Sequence, residues 1–67
     1  MSKATDALRA YMKAERMTQK DFAASVKMSP EHISRLMNGK HTPGIFARAY
    51  LAAVTSLDIK DGEYWNG

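Results

Sequence analysis

Between Ser29 and Lys40 the chain reads SPEHISRLMNGK. A carboxylate, an imidazole, a hydroxyl, a guanidinium and an amide follow in quick succession at Glu31, His32, Ser34, Arg35 and Asn38. On a helix each residue turns by about 100° from the last. With Ile33, Leu36 and Met37 on one side, Glu31, Arg35 and Asn38 point to the other, and His32 and Ser34 flank them. The chain shows no nucleophile with a base and an orienting group, no paired carboxylates in a pocket and no phosphate-cradling glycine loop, so an enzyme is not expected. What such a row of groups can do is read hydrogen-bonding edges. The Arg35 fork matches O6 and N7 of guanine, and the Glu31 carboxylate can accept from N4 of cytosine. His32 and Ser34 would reach a base or a phosphate. Pro30 has no N–H to donate and offers only van der Waals contact, as to a thymine methyl. Each also has an ordinary role: Arg35 and His32 as solvated surface groups, Glu31 as a favourable charge in the first turn of a helix.

The elements that must hold this row announce themselves by their starts and stops. Ser29-Pro30 is a helix start, a preferred cap followed by a residue whose missing N–H has no partner there anyway. Asn38-Gly39 is the matching stop. Upstream, Thr18 stands three residues before Asp21, as in a capping box, and Phe22, Ala23 and Val26 give a second short helix its apolar face. Only Val26-Lys27-Met28 separates the two. A first helix is predicted from Ala4 to Glu15, on the spacing of Ala7, Leu8, Tyr11 and Met12, with Ser2 or Thr5 as cap. After a loop from Lys40 to Gly44, a fourth helix runs from Ile45 to about Val54. The tail has room for one more turn near Asp58, and Gly62 argues against a long one. No strand alternation, repeat or low-complexity stretch occurs. The expectation is an all-α domain of four to five helices over residues 1–67.

At 67 residues the chain is one small domain with a modest core. It has no cysteine and two histidines, so neither a disulfide framework nor a metal site is expected to add stability. That leaves helix packing, with self-association as the natural supplement. The longest apolar run, Tyr50 to Val54, is far too short to span a bilayer, and the N-terminus lacks a signal-peptide pattern. A soluble, cytoplasmic protein is expected. A net charge of +3 favours anionic partners, though mildly.

Two short helices with a tight join form a helix-turn-helix, here over about residues 18–38, whose second helix can lie in the DNA major groove. Ala23 sits where the two helices cross and only a small side chain fits. The segments TQKDFAASV, MSPEHISRL and the following NGK resemble the lambdoid phage repressor and Cro family over roughly residues 8–55. The resemblance implies that Gln19 and the first turn of the second helix hold a phosphate, and that Asn38 and Lys40 contact the sugar-phosphate chain. Thr18, Lys20, Ser29, His41 and Thr42 are auxiliaries to that backbone contact; Thr18 and Ser29 are caps first, and Asn38 competes as one. Where the family usually has glycine, this chain has Lys27 in the turn and Arg16 after the first helix, so both should take left-handed backbone. Many members pair an Arg in the first helix with a Glu late in the recognition helix. The matching positions here are Met12 and Met37, which would replace an ion pair by an apolar contact.

The expected function is therefore a sequence-specific regulator that binds double-stranded DNA, most like a small Cro-type repressor acting as a homodimer on a pseudo-palindromic operator, in a bacterial cytoplasm or an infected host. The length leaves no room for a ligand-binding domain, and no cofactor or small-molecule substrate is implied. Restriction-modification controllers and antitoxins share the fold and remain alternatives. So does a protein-interaction module that has lost DNA binding and uses the Tyr- and Trp-bearing tail. Tyr11, Phe46, Tyr50, Leu51, Tyr64 and Trp65 divide between core and a dimer surface expected on the fourth helix and tail, residues 45–67.

Overall fold

The computed structural model describes residues 2–66. Four α-helices follow one another: α1 (Lys3–Ala14), α2 (Gln19–Ser25), α3 (Pro30–Met37) and α4 (Ile45–Thr55), then a 3-10 helix (Gly62–Trp65). The fold is all-helical, and the described residues contain no strand. The Ser2 hydroxyl accepts from the Thr5 N–H at 3.1 Å, and the Thr5 side chain answers the Ser2 N–H, so the two cap residues act together at the start of α1. Thr18 and Asp21 make the same reciprocal pair at α2, each bond 3.1 Å. Ser29 caps α3 through the His32 N–H, with Pro30 in the first turn. These bonds use N–H groups that a helix start leaves without an intrahelical partner.

Three helix ends share one geometry. After α1, α2 and α3 the backbone turns left-handed at Arg16 (φ 56°), Lys27 (φ 58°) and Gly39 (φ 73°). At each, two N–H groups reach back into the last turn, as where Met17 donates to Met12 at 2.8 Å, Met28 to Ala23 at 2.9 Å and Lys40 to Arg35 at 2.9 Å. Only the last end has glycine. The expectation for Lys27 and Arg16 is met, at a cost of about 1 kcal/mol each for a side chain in that region.

The core draws on every element: Ala4, Leu8 and Met12 from α1, Phe22 and Ala23 from α2, Ile33, Leu36 and Met37 from α3, Leu51 from α4, with Val26, Ile59 and Trp65 between and after them. Tyr11 meets Phe22 edge-on, ring centroids 6.0 Å apart. Met12 and Met37 both lie in this core, so the two positions that could have held an ion pair are apolar and dry. The tail differs from expectation. Its turn forms at Gly62–Trp65, not near Asp58, because Asp61 accepts from the Glu63 N–H at 2.9 Å and starts the helix there. Around Asp58 the chain is drawn inward by buried Ile59. Trp65 is buried too, and its indole N–H donates to the Ile59 carbonyl at 2.8 Å. The tail thus closes the core against α1, and Lys3 lies over the Tyr64 ring at 4.9 Å. The large exposed apolar side chains of residues 45–67 therefore lie on α4, where Ile45, Phe46, Tyr50 and Val54 are 60%, 88%, 41% and 39% exposed.

Candidate nucleic-acid interface

The α2–turn–α3 unit positions the polar row. Ala23 is buried on α2, the helix that packs against α3, as the small residue expected at the crossing. Ile33, Leu36 and Met37 have at most 1% of their surface exposed, so α3 cannot rotate about its axis without opening the core. The opposite side is thereby fixed outward: Pro30, Glu31, Arg35 and Asn38 are exposed, and His32 and Ser34 are half-buried beside them. Arg9 on α1 adds a hold that sequence reasoning missed, its Nη2 donating to the Met37 carbonyl at 3.0 Å, 28 residues away. The link between α1 and the end of α3 therefore persists as a bond from a guanidinium to a helix C-terminus, where positive charge is favoured.

The side chains of the row fall into two groups. Gln19, Lys20, Glu31, Arg35, Lys40 and Thr42 make no side-chain hydrogen bond among the described residues and stand at exposed or half-buried positions. The others are already engaged. Thr18 and Ser29 accept cap bonds, each keeping its own O–H as a donor. Asn38 Nδ2 donates to Ser34 Oγ at 3.3 Å, which joins two polar groups one turn apart. The His32 ring lies against that of His41, centroids 5.0 Å apart, and ties the face of α3 to the loop after it. None of these side chains is brought onto a carboxylate, and the described residues hold no cluster of three or more His, Cys, Asp or Glu groups suited to a metal.

Charge is uneven along the chain. Between residues 16 and 42, five basic residues (Arg16, Lys20, Lys27, Arg35, Lys40) face two acidic ones (Asp21, Glu31), a surplus of three that equals the net charge of the whole protein. From residue 43 onward three acidic residues outnumber two basic ones. The surplus of basic residues thus falls on the stretch that carries α2, α3 and the loop that follows, and its sign favours an anionic partner. No helix of the described residues is long and apolar enough to cross a membrane.

A helix-turn-helix family model matches residues 8–46, more than half of the chain and the whole of the α2–turn–α3 unit. No characterised protein and no solved structure matched the chain. A tight turn between two short helices, a buried stripe beneath an outward polar row and the family match agree: the chain belongs to the Cro/C1-type helix-turn-helix family of DNA-binding transcription regulators.

Proposed function

We propose that the protein is a Cro-like repressor that binds a pseudo-palindromic operator in double-stranded DNA as a homodimer. The observation that carries this reading is the outward polar face of α3, where Glu31 and Arg35 make no side-chain hydrogen bond among the described residues, set opposite a stripe that is at most 1% exposed. In this reading α3 enters the major groove. Arg35 takes guanine O6 and N7, Glu31 accepts from cytosine N4, and Ser34, His32 and Pro30 complete the contact with bases. Gln19, with Thr18 and Lys20, holds a phosphate at the start of α2, and Ser29, Asn38, Lys40, His41 and Thr42 follow the backbone on the far side. The apolar outer face of α4 pairs with its copy across a two-fold axis. A protomer of 26 × 22 × 21 Å is of the right size to set two recognition helices about one helical turn, roughly 34 Å, apart. Repression then follows from occupancy, since a bound dimer denies the promoter to polymerase. A protein-docking role for the tail has less to stand on, because Trp65 is buried and its N–H already bonded.

Selection from a random duplex pool at near-physiological salt tests this reading. An enriched inverted repeat with half-sites one turn apart is the expected result. A bound pool with no preferred sequence would contradict it.

A further inference from the structure

We infer that Arg48 is a positioning residue for DNA binding: it fixes the loop after the recognition helix by tying it to the C-terminal segment. The inference rests on the DNA-binding reading above. Arg48 is the one charged residue in α4, within IFARAYLAAVT. A lone charge in an apolar helix needs a partner, and this one has two backbone partners from distant segments. Its Nη1 donates to the Pro43 carbonyl and its Nε to the Lys60 carbonyl, each at 2.9 Å. Gly62 closes the third side. A Cβ there would stand 3.3 Å from Arg48 Cζ and 3.4 Å from Nη2, so the guanidinium packs close against this glycine, and a side chain there would displace it by a few tenths of an ångström.

The loop depends on this contact. Residues 41–43 lie between the end of α3, closed by the bond from Lys40 to Arg35, and α4, where Arg48 N–H returns to Gly44. Among the described residues, the bond from Arg48 to Pro43 is the only hydrogen bond that residues 41–43 make. The rest of their hold is buried Pro43 and the contact of His41 with His32. The loop carries Lys40, His41 and Thr42, the groups proposed to meet the backbone beyond the recognition helix. A loop held in place before binding loses less conformational freedom on binding. Arg48 therefore acts on DNA through the loop, without touching DNA itself, and does so equally for every sequence.

The experiment compares full-length wild type, Arg48→Gln, Arg48→Lys and Gly62→Ala. Binding to the selected operator and to random duplex is measured well below each melting temperature, alongside the amide signals of His41, Thr42 and Gly44. Arg48→Gln should weaken binding to both duplexes by a similar factor, about tenfold, the scale of ordering a short segment on binding. Its amide changes should centre on the loop. Arg48→Lys keeps the charge but not the planar fork that spans two carbonyls, so it should lose nearly as much. Gly62→Ala, with Arg48 intact and only displaced, should lose less in the same pattern, and it serves as the test if the Arg48 variants do not fold. Full binding by Arg48→Lys would show that charge alone matters and overturn the inference. So would folded Arg48→Gln, or Gly62→Ala with shifted loop amides, binding as wild type does. A wild type that binds neither duplex would instead overturn the DNA-binding reading, and this inference with it.

Discussion

The two helices α3 and α4 each turn a face to solvent, and the faces are opposite in chemistry. α3 is anchored by three buried apolar residues, is capped by a serine side chain, and presents Glu31, Arg35 and Asn38. α4 is longer, starts at Gly44 with no side-chain cap, buries only Leu51 and Thr55, and presents Phe46, Tyr50 and Val54. A polar face is at ease in water and gains from meeting bases and phosphates. An apolar face with a phenylalanine 88% exposed is unfavourable in water and gains from being covered. The difference is what the proposed division of tasks rests on: α3 is fixed by its own core with its polar side in solvent, whereas the apolar outer face of α4 is uncovered in the single chain.

Phe46→Ser gives the largest expected effect and tests the α4 side of the contrast. Burying a phenylalanine is worth about 1.5–3 kcal/mol, and a symmetric pair loses it twice, about 3–6 kcal/mol per dimer. Sedimentation should show monomers with an unchanged helical spectrum. Wild type that is already monomeric at high concentration would break the comparison there. Ala23→Leu tests the other side, since added carbons at the α2–α3 crossing have no space to enter. A loss of about 1–3 kcal/mol, read as a fall in melting temperature, is expected. An unchanged melting temperature would mean that the crossing does not constrain α3. The smallest effect belongs to the turn. Lys27→Gly relieves a left-handed side chain and should stabilise by up to about 1 kcal/mol, raising the melting temperature by a few degrees. A lower melting temperature would show that the lysine contributes something its backbone does not reveal.

The parts legible in the sequence are those governed by local rules. Thr18 with Asp21 and Ser29 with Pro30 mark helix starts, and they do so because the bonds close within three residues. The apolar stripe of α3 follows from helical period. The left-handed backbone at Lys27 and Arg16 came from the resemblance, since neither residue type announces it. What stayed hidden depends on backbone carbonyls far along the chain. Arg9 bonds Met37 and Arg48 bonds Pro43 and Lys60 through an atom that every residue carries, so no pairing of residue types signals the contact. The one available clue was that Arg48 is alone in an apolar helix. The inward turn of Trp65 was hidden for a similar reason, because its partner is the Ile59 carbonyl.

The central claim is that the polar face of α3 reads bases, and the most direct test is Arg35→Ala titrated against the selected operator and a random duplex in parallel. The account predicts a loss of about 1–3 kcal/mol on the operator, relaxed preference at one base pair per half-site, and a much smaller change on random DNA. Equal loss on both would contradict it and leave Arg35 as a phosphate contact.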